Sequence, residues 1–284
     1  MHSAAPLFDA HNHLQDEWLL PYRQTIFSDF ARINIKACVV NGTSESDWAD
    51  VAALARTHEM VIPSFGLHPW DVGNRTPEWQ ARFLDALQNT PNAFVGEIGL
   101  DRWMIDHARA DDPRLHGLRR APLNEQIEAF RWQLMVAAER NLPASIHCLE
   151  AFGPLLDVLS STPLPRRGFL LHAYSGSIEM AAAFAKLGAY FSFNGAFLEP
   201  RKQSRRDVFA QIPGDRLLVE TDAPAMCLTP ALEIFKLPPT PEGHQINHPG
   251  NAVSAYDGLA RLRRTTTDCL VTQVAENFRR LFGS

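Results

Sequence analysis

The 284-residue chain has no apolar run approaching the roughly 20 residues needed to cross a bilayer. Its start, MHSAAPLFDAHNH, has neither the positive opening nor the apolar core of a signal peptide. Four cysteines (Cys38, Cys148, Cys227, Cys269) lie far apart with no CxxC pair, so neither a zinc knuckle nor a disulfide framework is indicated. Low-complexity segments, short repeats and a dividing linker are all missing. A surplus of positive charge is missing too. Lys and Arg number 27 against 32 Asp and Glu, giving a formal charge of −5, which argues against a protein that coats duplex DNA but not against an enzyme that handles it locally. These absences leave an ordinary globular composition and the expectation of a soluble cytoplasmic protein with no membrane contact.

Strand-length apolar runs alternate with longer segments of helical period. The predicted strands are 7–11, 36–42, 60–66, 93–99, 143–148, 168–173, 189–195 and 216–222; helices are predicted at 48–59, 78–87, 123–141 and 178–188, among others. Gly188 ends one helix, and Asn141 with Pro143 another. Eight near-continuous apolar strands, each with a helix able to follow, indicate a parallel α/β sheet closed into a (β/α)8 TIM barrel. A doubly wound open sheet is the competing architecture. Residues 1–284 read as a single domain with its core at about 7–280. The proline-rich stretch 223–250 reads as a long irregular loop before the last helices.

Polar residues able to bind metal recur where the predicted strands end. His11 and His13, two apart, point to one side of an extended strand. Glu97 closes the fourth strand, His147 the fifth, His172 the sixth and Asp222 the eighth. A parallel barrel brings all these ends to one rim, where such enzymes place their sites. Four imidazoles and two carboxylates exceed the needs of one tetrahedral ion, and two divalent cations sharing Glu97 is the economical arrangement. A pair of close cations lowers the pKa of a water and holds the phosphate oxygens of an in-line displacement. Asp222 is the best placed group to take the proton of that water, and stays ionised beside the metals.

FDAHNH, GLHP, GEIGLD, SIHC, LHAYSG and ETDAP stand in the order and approximate spacing of the TatD-like family of metal-dependent hydrolases, which the chain resembles from about residue 7 to the final helix. The segment carrying Gln126, Phe130 and Gln133 is similar to the family's helix before its first lone metal histidine. The resemblance implies an amidohydrolase-superfamily barrel holding two divalent cations. One would be bound by His11, His13, Glu97 and Asp222, the other by Glu97, His147 and His172. It also implies deoxyribonuclease activity, often 3′-to-5′ exonucleolytic on single strands. With histidine and carboxylate ligands, Zn, Mn and Fe suit the site, while Mg prefers oxygen.

A nuclease must hold a polyanion, DNA or another phosphoester. Arg102, Arg109, Arg114, Arg119 and Arg120 follow the fourth strand, and Arg201, Lys202, Arg205 and Arg206 the seventh, where they are expected to overhang the rim. His68, Arg102, Trp103 and Tyr174 are candidate substrate contacts, and Trp70 and Phe197 could also stack bases. His2, His58, His107, His116, His244 and His248 read as surface residues, and Cys148 should point away from His147.

Three departures from the family pattern bear on the substrate. His147-Cys148-Leu149-Glu150-Ala151 replaces H-x-R-[DE]-A, so Leu149 stands where an arginine is usual. Residues 103–121 are longer than the usual connection. Asn247, His248, Pro249, Gly250 and Asn251 occupy the place of a polar-Arg-x-x-Pro signature. They leave open a metal-dependent hydrolase of a small ester, lactone, amide or phosphomonoester, and a catalytically silent barrel as a third reading.

Overall fold

Eight parallel strands in the order of the chain form a nearly closed barrel in the computed structural model, which describes residues 6–283. They are β1 Leu7–Asn12, β2 Ile35–Asn41, β3 Val61–Phe65, β4 Phe94–Asp101, β5 Ala144–Leu149, β6 Phe169–Leu171, β7 Ala189–Asn194 and β8 Leu217–Glu220. The intervening helices are α1 Arg23–Arg32, α2 Trp48–Thr57, α3 Trp79–Asn89, α4 Trp103–Asp106, α5 Leu123–Arg140, α6 Phe152–Ser161, α7 Ile178–Lys186 and α8 Gln203–Phe209, followed by α9 Ala252–Leu262 and α10 Thr267–Phe282. Every residue of β1, β3, β4, β6, β7 and β8 is buried. That is the physical reason the strands read as unbroken apolar runs: both faces are covered. The expected (β/α)8 barrel is the observed fold, in one domain, and among the described residues no helix is long and apolar enough to cross a membrane.

The barrel closes where its first and last strands meet, through hydrogen bonds that lie beyond the regular ladder. Asp222 N–H donates to His11 O (2.9 Å) and His13 N–H to Ala223 O (2.8 Å). Below them the buried Asp9 carboxylate accepts from Thr221 N (3.0 Å) and Thr221 Oγ1 (2.6 Å). The Tyr256 hydroxyl, from α9, accepts from Phe8 N and donates to Phe8 O. Taking Asp9 out of water pushes its pKa up to about 7, against the pull of its hydrogen bonds to Thr221 and Asn12.

Two glycines let the strands beneath the rim approach. A Cβ at Gly66 would lie 2.3 Å from the Glu97 carbonyl oxygen, and one at Gly99 2.0 Å from that of His147. The glycines of GLHP and GEIGLD therefore set the spacing of the segments that carry Glu97 and His147. On α5, Gln126 and Gln133 lie seven residues apart on one helical face. Gln126 clamps both backbone groups of Asp101, and Gln133 both of Leu67.

The strand ends differ from expectation at three places. β4 runs on to Asp101, so Glu97 lies within the strand instead of closing it. β8 stops at Glu220, and Asp222 sits past it in a left-handed conformation (φ 52°). β6 stops at Leu171, with His172 beyond it and Ala173 at φ 42°. The long loop after β8 is irregular as expected, yet it is tied down. Asn247 Nδ2 donates to Thr221 O, and Asn251 Oδ1 accepts from Ile234 N and Phe235 N.

Candidate metal centre

His11 of β1, His13 just past it, His147 of β5, His172 just past β6 and Asp222 just past β8 meet at one rim around Glu97 of β4. The Glu97 carboxylate is buried, and its two oxygens face different partners. Oε2 lies 3.2 Å from His11 Nε2 and 3.3 Å from His13 Nε2. Oε1 lies 2.9 Å from His172 Nε2, 3.1 Å from His147 Nδ1 and 3.3 Å from His68 Nε2. Asp222 Oδ1 completes the first group, 3.3 Å from His13 Nε2 and 3.7 Å from His11 Nε2. Three trios bring their donor atoms within 4.8 Å of one another: His11, Glu97 and His172; His11, His13 and Asp222; His68, Glu97 and His147.

The donor set fits divalent cations on a point of tautomer chemistry. The Asn41 carbonyl can only accept, so the His13 Nδ1 it meets at 2.8 Å carries the hydrogen. The neutral ring then turns the lone pair of Nε2 toward His11 Nε2, 3.3 Å away, and toward two carboxylate oxygens. Lone pairs converging at that distance repel unless a proton or a cation stands among them. Imidazole and carboxylate together are the ligands of Zn-, Mn- and Fe-type ions.

The titration tendencies carry the same demand for positive charge. Burial alone would lower His13, but hydrogen bonds to Asp222 and Glu97 hold its pKa well above the usual histidine range. Burial opposes His147 in the same way, and its bonds to Asp101 and Glu97 raise it to about 9. His172 is likewise raised against burial, by the charges of Glu97 and Glu220. Burial would raise Glu97, yet His172, His68 and His11 hold it well below the carboxylate range; Asp222 is lowered against burial by His13, His172 and His11. For His11 and His68 burial prevails and the pKa falls.

Sequence reasoning passed over the groups behind these ligands. Ser145 Oγ lies 2.8 Å from His11 Nδ1, and Asp101 Oδ2 lies 3.1 Å from His147 Nε2. Glu220 Oε2 stands 3.8 Å from His172 Nδ1. Ser145 and Asp101 stand at even spacing from His147 and Glu97 on their strands, so for these two the signal of a shared face was available; Glu220 is the last residue of β8, and Asp222 lies beyond it. His68, expected beside the substrate, lies within the cluster itself.

The outer expectations fare differently. Trp103 is half-buried, packed against Trp70 with ring centroids 6.3 Å apart and covered by the Arg114 guanidinium at 4.4 Å. Tyr174 is turned into the protein, 2% exposed. It is buried among Phe152, Phe184 and Phe191, and its hydroxyl donates to Ser177 O. Phe197 is buried as well, against Phe193 and Phe209. Arg102 is turned onto Asp106, Arg109 onto Asp111, Arg114 onto Asp112, Arg119 onto Glu125 and Arg201 onto Glu199. Arg120 donates to Ala108 O and Arg206 to Phe197 O. Nearby acids and carbonyls thus occupy most of the positive charge expected to overhang the rim.

Among the remaining histidines, His248 is not on the surface. It is 2% exposed, stacked on Phe235, with Nδ1 accepting from Gly250 N. The tied-down loop carries it inward. His58 is half-buried against Phe27, His107 and His116 are exposed, and the exposed His244 stacks on Trp18; His2 lies outside the described residues.

Comparison with known proteins gives a consistent answer. The family model described as TatD related DNase matches residues 8–283. YjjV of Escherichia coli K12, described as an uncharacterized metal-dependent hydrolase, is 30% identical over 259 residues, spanning 89% of this chain and 88% of that protein. A crystal structure of the same TatD homolog superposes with a TM-score of 0.83 at 28% identity, covering 98% of each chain. A protein of Erwinia tasmaniensis described as a 3′-5′ ssDNA/RNA exonuclease, TatD, is 26% identical across 98% of this chain and all of that one. The chain belongs to the TatD related DNase family.

Proposed function

We propose that the whole chain, residues 1–284, is a two-metal hydrolase of DNA phosphodiester bonds that removes nucleotides from strand ends. The observation that carries this reading is the division of Glu97, whose two oxygens face two histidine sets. His11, His13, Glu97 Oε2 and Asp222 would hold one cation; Glu97 Oε1, His147 and His172 would hold the other, with His68 alongside. When bound, the two cations supply an acidified water and neutralise the charge of the phosphate oxygens. The mixed nitrogen and oxygen donors favour Zn, Mn or Fe over Mg.

Asp222 is the proton acceptor in this reading. Its carboxyl is held below the usual range, so it is ionised at neutral pH, and its Oδ1 faces the first group of ligands from the open side. Glu97, deeper and flanked by five imidazoles, orients rather than accepts. Trp70 and Trp103 form an aromatic wall continued from His68, against which a base can stack. The direction of digestion, from the 3′ end, follows the activity named for the Erwinia relative. Four free thiols fit a reducing cytoplasm.

The test is cleavage of end-labelled single-stranded DNA by metal-loaded protein, with His147→Ala as control. Shortening from the 3′ end by the wild type alone is the expected result. No variant-sensitive cleavage with Mg, Mn or Zn overturns the reading. A smaller, less charged ester is favoured by the neutralised arginines and by Leu149 in place of an arginine. Turnover of such a substrate far above that of DNA decides for it.

A further inference from the structure

The two halves of the metal centre are backed by different chemistry. Behind the first half stand neutral groups: Ser145 Oγ at His11 Nδ1 and the Asn41 carbonyl at His13 Nδ1, each at 2.8 Å. Behind the second stand carboxylates, Asp101 at His147 and Glu220 near His172. His147 is also the one histidine of the cluster turned end for end. His11, His13, His68 and His172 present Nε2 to Glu97, whereas His147 presents Nδ1.

Asp101 is built to impose that orientation. It is fully buried, and its side chain accepts on both oxygens: Oδ1 from Met104 N (2.8 Å), Oδ2 from Trp70 Nε1 (2.7 Å) and from His147 Nε2 (3.1 Å). Gln126 holds its backbone on both sides, with Asp101 N donating at 2.8 Å and Asp101 O accepting at 3.1 Å. An indole and a backbone amide only donate, so an ionised carboxylate satisfies all three neighbours and an amide cannot. With Nε2 bound to an acceptor, the neutral His147 ring carries its hydrogen there and its lone pair on Nδ1, 3.1 Å from Glu97 Oε1 and 3.2 Å from His172 Nε2.

We infer that Asp101 is a positioning residue that selects Nδ1 of His147 as the metal-facing nitrogen, and that the second cation position, unlike the first, depends on this buried carboxylate. The inference rests on the two-cation reading, and zinc binding measured without any nucleic acid separates the two. In Asp101→Asn the new NH2 must face a donor, either Met104 N–H or the pair Trp70 Nε1–H and His147 Nε2–H. The relief available is a ring that carries its hydrogen on Nδ1, the wrong tautomer for binding.

The experiment is a calorimetric titration of the metal-stripped full chain with zinc alone, wild type against Asp101→Asn. The expected result is two equivalents in the wild type, with one weakened about 10–100-fold in the variant and the other unchanged. Equal loss of both equivalents, or no change in either, overturns the inference. A wild type that binds no zinc removes the two-cation reading instead. A second measurement needs no folded Asp101 variant. Ring 15N spectra of the metal-free wild type, with the His147 signal identified by its absence in His147→Gln, should show the hydrogen on Nε2 when that ring is neutral. A hydrogen on Nδ1 overturns the proposal.

Discussion

The metal-facing end of the barrel and the arginine-bearing loops around it hold their charge in opposite ways. At the centre, charged groups come from segments far apart in the chain and face one another in a buried space. Glu97, from β4, meets imidazoles from β1, β5 and beyond β6. In the loops, the pairs are local and exposed. Arg109 meets Asp111 two residues away, and Arg102 meets Asp106 four residues away. The first arrangement requires the whole fold and creates a demand for cations; the second satisfies itself in water and leaves little net charge for a ligand.

The comparison breaks most sharply at Glu97. Glu97→Ala should remove both cation positions together, with a fall in kcat on the order of 10^4-fold and less than one bound metal per chain by elemental analysis. Retention of two metals would show that the centre does not hinge on this carboxylate. Next in size is a buried histidine away from the centre, which serves as a control. Burial lowers His248 to about 4, only partly opposed by Asp29 at 3.4 Å. Its folded pKa lies below the unfolded value of 6.5, so the unfolded chain takes up a proton first as pH falls. Its contribution is therefore complete above about pH 6.5 and is lost progressively toward pH 4, by about 3 kcal/mol. Denaturant melts across that window should show the slope in the wild type and a flatter profile in His248→Asn, whose side-chain oxygen can still accept from Gly250 N.

Smaller effects sharpen the contrast. Tyr174→Phe removes one part-buried hydrogen bond, to Ser177 O, and should cost about 1 kcal/mol of stability with kcat/KM unchanged. A large rise in KM would return Tyr174 to the substrate. The smallest effect belongs to Arg109→Ala, which breaks a pair exposed on both sides and should alter DNA turnover less than about threefold. A tenfold loss that vanishes at high salt would show the loop reaching the nucleic acid.

The same contrast explains what the sequence made legible. Alternation along a strand, and the meeting of parallel strand ends at one rim, place His11, Glu97 and His147 together without knowledge of any contact, and His13, His172 and Asp222 follow their strands so closely that the same rim receives them. Neither rule says where a residue goes once the strand has ended. Ala173, at φ 42°, turns the chain so that Tyr174 enters the layer of Phe152, Phe184 and Phe191. Composition likewise reads a polar loop as surface, but hydrogen bonds from Asn247 and Asn251 fold the late loop down and bury His248. Arginines counted along the chain look available; the acids beside them are visible only as neighbours in sequence, and only the structure shows the forked pairs. Asp101 sits four residues after Glu97 on the same strand face, a position that periodicity marks and that chemistry alone does not assign.

The hydrogen bonds from Asp222 N to His11 O and from His13 N to Ala223 O join the beginning of the barrel to its end. On the ribosome, His11 and His13 emerge more than 200 residues before Asp222. A nascent or prematurely terminated chain that stops short of that aspartate has its histidines but not the proton acceptor proposed here. The proposed centre is therefore complete only once the last strand of the barrel and the turn after it have been made.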